Sequence, residues 1–131
     1  MQEAMIMKTG SAHTIITALI IASFLLGAYL YPFMPERMAT HWDAAGIVNS
    51  YMSKTWGLFL MPLLSGLIFL AFLLAPRMDP LRKNIEQFRG HFDLFMLLFF
   101  SFLFYLYLLT LIWNLGYRFN LIAFMAPAFG V

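Results

Sequence analysis

The chain has 131 residues, 63% of them apolar and only 11% charged, where a soluble domain carries about 25% charge. A water-soluble fold this small keeps much of its surface wet and cannot hide so much hydrocarbon, so the bilayer is the natural solvent. A net charge of +2 on scattered basic residues argues against a nucleic-acid surface, and the absence of cysteine excludes disulfides and thiolate metal sites.

Residues Met1 to Ser11 form a short polar leader. From Thr14 to Tyr31 no charged residue occurs, and at 1.5 Å per residue this run reaches roughly 27 Å, close to the hydrocarbon thickness. It is predicted to be an uncleaved first span, since no small-x-small cleavage site follows it. Ala18 with Ala22, and Ser23 with Gly27, are small pairs four apart, a spacing that permits close helix packing.

Pro32 and Pro35 should end that helix by removing backbone donors. A polar loop is expected over 32–55. Tyr29, Tyr31, Trp42, Tyr51 and Trp56 cluster around it, as aromatics do at a membrane–water boundary. The second span is predicted over Trp56 to Ala75. Pro62 lies inside it and should kink the helix and free the carbonyl of Leu58.

Residues 76–93 read as a basic loop holding Arg77, Arg82, Lys83 and Arg89. Asp79 followed by Pro80 has the character of a helix N-cap and first turn. Leu81, Ile85, Phe88 and Phe92 then recur on one helical face, which predicts an amphipathic helix in the headgroup layer. Leu94 to Tyr117 forms a third charge-free run, in which Asn114 lies near enough to the end to reach the interface. Phe119 to Val131 is apolar but too short to cross, and reads as a re-entrant tail or a truncated fourth segment.

The expected fold class is therefore all-α: an integral membrane protein with three transmembrane helices and a partial fourth apolar segment, forming one membrane domain. Lysine and arginine counts favour the basic loop and the N-terminus in the cytoplasm, five against three, which turns the 32–55 loop outward.

Within that loop, Glu36, His41 and Asp43 offer metal-type donors but match no ligand spacing. Ser53 and Lys54 are adjacent, and neighbouring side chains seldom point at one another, so a Ser/Lys hydrolase pair is disfavoured. No enzymatic activity, cofactor or metal is expected. The simplest reading is a hydrogen-bonded loop in which Gly46 takes a positive-φ turn and Lys54 pairs with Asp43 or Glu36. A binding surface can be built on such a loop.

Pro35, His41, Trp42, Asp43, Gly46, Asn49, Lys54 and Pro62 together make a recognisable pattern: proline, His-aromatic-acid or amide, Gly, acid or amide, Lys, membrane proline. This resembles the N-terminal module of the SdpI family, membrane proteins of immunity to a sporulation-delaying toxin. Arg77, Asp79 and Pro80 with Lys83 and Asn84 are similar to that family's loop after its second span. Two departures stand out. Asn49 occupies a place where Asp is common, and the fuller members' second-half Asn…Gly-x-Arg motif has no counterpart of the right spacing.

The resemblance implies an immunity or signalling protein whose outward loop meets a toxic peptide or other ligand. It also implies a cytoplasmic regulator at Arg77, Asp79, Arg82, Lys83, Asn84 and Arg89. The alternative is a small oligomeric transporter or channel subunit, favoured by the Pro62 kink and the small-residue pairs. Against it, no ionisable group falls within the spans as drawn, and transport pathways usually carry one.

Overall fold

The computed structural model describes residues 9–78 and 89–125. Its three long helices are α1 (Thr9–Leu30), α2 (Lys54–Met78) and α3 (Arg89–Asn114), and a short α4 (Leu121–Met125) follows. All three long helices are long and apolar enough to cross a membrane, which makes this a multi-pass membrane protein of the all-α class. Between α1 and α2 the chain folds into a minor antiparallel hairpin, β1 (Arg37–Trp42) and β2 (Val48–Ser53).

Ile16 of α1 clusters with Phe69 late in α2 and with Met96 and Phe100 early in α3, far from the hairpin. Met34 and Met38 cluster with Leu58 early in α2 and with Tyr107 and Leu111 late in α3, beside the hairpin. So α1 and α3 run in the same direction and α2 returns between them. The helix α1 packs along both of the others, whereas α2 and α3 meet each other less. Exposed Leu25, Leu67, Phe95 and Leu98 give the outside of the bundle its hydrocarbon surface.

Three boundaries differ from the sequence expectation. The 32–55 interval is a sheet rather than a plain loop, because a tight turn at 43–47 folds it back on itself. The helix α2 continues to Met78. The third helix begins at Arg89 and takes in Arg89 to Asp93, which the sequence placed in the basic loop. The Arg89–Asp93 ion pair, 3.9 Å at i,i+4, lets the helix carry both charges into its first turns. Phe92, expected on a headgroup-layer helix, packs edge-on against Phe72 of α2. The rest of that amphipathic segment, Asp79, Arg82, Lys83 and Asn84 included, lies outside the described residues.

The helices are joined through one hydroxyl. Pro62 is buried and has no N–H to give the carbonyl of Leu58, one helical turn earlier. Tyr107 of α3 supplies the missing donor: its Oη lies 2.7 Å from the Leu58 oxygen and 3.1 Å from the Ser23 oxygen of α1. The ring reaches both because Gly27 carries no side chain. A Cβ there would stand 2.8 Å from the Tyr107 hydroxyl and 3.1 Å from Phe59. The small pair Ser23 and Gly27 is thus the buried one, and Ala18 with Ala22 faces outward.

Tyr107→Phe should cost about 1–3 kcal/mol in reversible unfolding in detergent, the range for stranding a buried polar group. The same change in a Pro62→Ala background should cost less, because the restored amide satisfies Leu58. Equal costs in the two backgrounds would show that the hydroxyl does not serve the proline's orphaned carbonyl.

Candidate functional site: the hairpin and the cleft beneath it

The hairpin turn is built by Asp43 and Gly46. The Asp43 Oδ1 accepts from the amides of Ala45 and Ile47, each at 2.9 Å, and the Asp43 amide donates to the Ile47 carbonyl at 2.8 Å. Gly46 sits at φ 82°, where a side chain is strained. A Cβ there would also stand 2.7 Å from Asn120 Oδ1, just ahead of α4. Asp43 therefore spends its carboxylate on the turn.

Pairing runs Arg37 to Ser53, Met38 to Met52 and Ala39 to Tyr51, shifts to His41 with Ser50, and returns to Trp42 with Val48. Thr40 is the extra residue on one strand and Asn49 on the other, so the two irregularities cancel. His41 lies between them. Its Nδ1 donates to Asn49 Oδ1 at 2.6 Å, so the amide at this place holds the imidazole without adding charge. Both side chains are exposed, as are Arg37, Tyr51 and Ser53.

Lys54 pairs with Glu36, Nζ to Oε1 3.2 Å, and lies 4.3 Å over the Tyr31 ring. Of the two partners open in the sequence it takes Glu36, because Asp43 is committed at the far end of the hairpin. Glu36 is 88% exposed, so the pair is worth only ~0–1 kcal/mol. Pro35 is exposed and follows Met34 in extended conformation, as a residue before proline prefers.

The sequence placed Trp42 in the interfacial aromatic belt, and the structure buries it. It packs edge-on against Trp113 of α3, centroids 5.4 Å apart, with Ala39, Leu109 and Leu121. Period two explains this: Met38 and Trp42 point to the helix side, and His41 to the other. Tyr29, Tyr51 and Trp56 remain exposed at this end. Of the expected partner-facing residues, Arg77 falls in the last turn of α2 and Arg89 opens α3.

The residue that docks the hairpin escaped sequence reading. Asn114, near the end of α3, is buried. Its Oδ1 accepts from the Ala39 amide at 2.8 Å, and its Nδ2 donates to the Ala39 carbonyl at 2.9 Å and the Thr110 carbonyl at 2.8 Å. The side-chain amide stands in for a neighbouring strand. A polar residue in an otherwise apolar helical run was the available signal.

Two clefts open under the sheet where α2 and α3 part, one of about 280 Å³ and one of about 220 Å³. Thr40, His41, Met61 and Thr110 line both. Among the described residues no three His, Asp or Glu side chains converge as metal ligands. Glu36, His41 and Asp43 are each directed elsewhere.

Residues 18–66 match a protein family described as a domain of unknown function (DUF1648). The match takes in the second half of α1, the hairpin and α2 to just past Pro62. It therefore holds Ser23, Gly27 and Leu58, while Tyr107 and Asn114 reach in from outside it. Neither the curated proteins nor the solved structures give a match.

Asn114→Ala should strand two buried backbone groups of Ala39 at a cost of about 2–4 kcal/mol. It should also raise hydrogen exchange at the Ala39 amide far more than in the middle of α1. Unchanged protection at Ala39 would mean that packing alone holds the sheet.

Proposed function

We propose that this is a membrane immunity or signalling protein whose hairpin faces outward and engages a toxic peptide or another extracellular ligand. The observation that carries the reading is the hairpin's construction. It is fastened below by Asn114 and at its base by Lys54, while His41, Asn49 and Tyr51 stand exposed above. A surface held this way loses little conformational freedom on binding. The resemblance to the SdpI module and the charge asymmetry of the loops support the same orientation, with the N-terminus in the cytoplasm. The basic segment from Arg77 to Arg89 is then the cytoplasmic face for a regulator. Ligand binding acts on that face only by distinguishing two states of the bundle. The reading needs no enzymatic step.

Expression in toxin-sensitive cells should raise survival on challenge, and His41→Ala or Tyr51→Ala should lower that protection at least tenfold at equal membrane abundance. Survival indifferent to the chain, or to both substitutions, overturns the reading.

One observation favours a second reading, a subunit of an oligomeric transporter or channel. Asp93 is fully buried inside α3, so an ionisable group does lie within a span. In proteoliposomes this reading expects ion or solute flux that falls with Asp93→Asn, and the absence of flux removes it.

A further inference from the structure

The two clefts under the sheet are lobes of one site, divided by Met61 and roofed by Thr40 and His41. At about 280 and 220 Å³ each lies just under the usual ~300–1,000 Å³ of ligand pockets. Each therefore suits a slender chain rather than a folded partner. The first lobe runs from Ser50 down past Leu60 to Leu64, and Trp56 and Leu64 on its rim are themselves exposed. Exposed Leu63 and Leu67 continue that rim along the lipid-facing side of α2. The lobe is thus continuous with the surface that contacts the bilayer, and an acyl chain can slide in sideways.

The polar groups specify the head. Hydroxyls of Thr40, Ser50, Tyr107 and Thr110 line the first lobe, and Trp42 walls the second. The indole Nε1–H of Trp42 is buried with no acceptor among the described residues. A buried donor left unmet costs free energy, and an acceptor oxygen entering the second lobe can satisfy it with a small rocking of the ring. Among the described residues no Lys, Arg, Asp or Glu lines either lobe. A phosphate or carboxylate would arrive there without a counter-charge.

We infer that the cleft beneath the hairpin binds an uncharged acyl ester lipid, its carbonyl at Trp42 and its chain between α2 and α3. This site goes beyond the outward-facing surface of the hairpin and stands whether or not a toxin binds above.

The test uses the full chain, purified in detergent with Trp56→Phe, so that Trp42 and Trp113 report from the interior. Titration with a monoacylglycerol brominated along its chain should quench them saturably, and the unbrominated ester should reverse the effect. A brominated fatty-acid anion and a brominated lysophospholipid should bind at least tenfold more weakly. Leu106→Phe, which fills the second lobe, and Thr110→Leu, which fills both, should cut the quenching at least fivefold with the thermal midpoint kept. Several results overturn the proposal: quenching that never saturates, failure of the unbrominated ester to reverse it, or equal binding of the anions. Full quenching in either folded filling variant does the same, as does a self-associated dimer that shuts the ester out. The reversal arm needs no cavity variant, so misfolding of the filled proteins cannot shelter the idea.

Discussion

The arrangement of the three helices depends on a backbone carbonyl that proline leaves without its donor. In a bilayer core there is no water to serve such a group, so it must be met from inside the protein. Pro62 creates the need at Leu58, Tyr107 meets it, and the same hydroxyl reaches Ser23. One polar contact thereby ties α1, α2 and α3 at a common level. Lipid tails are as apolar as leucine, so helix burial supplies little net drive here, and the position of a few hydrogen bonds sets the packing. Gly27 is what makes the contact sterically possible.

The hairpin depends on that level. With α2 and α3 fixed just below it, Asn114 stands at the height of Ala39 and can close two hydrogen bonds on the strand. A two-stranded sheet is marginal by itself. Here one edge residue is satisfied by the amide, and the inner face is filled by Met38 and Trp42. Gly57 opens α2 to Met38, whose sulfur would be 2.9 Å from a Cβ at that place. Tyr105 completes the frame by donating to the Phe124 carbonyl at 2.6 Å, which draws α4 against α3 and under the turn.

Much of the bundle was legible because its signals are local. Charge-free runs mark the three long helices, and a proline inside one of them names the carbonyl it strands, Leu58. Gly46 and Asp43 announce a turn. What was not legible required a partner distant in the chain. Tyr107 and Asn114 look like any polar residue in a lipid-facing run until the carbonyl and the strand edge are placed beside them. Trp42 shares its composition signal with Tyr51 and Trp56, and only the strand's alternation turns it inward. Asp93 looked like the end of a loop because a lone charge normally closes a span. Its pairing with Arg89 one turn earlier lets the helix run through it. The hairpin itself was hidden by the brevity of its strands, six residues each, too few for alternation to stand out from a polar loop.

The paired irregularities in the sheet have a consequence for how this region can change over generations. Thr40 and Asn49 are each one residue too many for a regular ladder, and each cancels the other, so the strands come back into phase at Trp42 and Val48. Losing either residue alone would leave the phase uncorrected and turn the indole away from its seat beside Trp113. Length variants are therefore tolerable here only as matched double events, one in each strand, and a lone codon gain or loss between 39 and 49 should be purged.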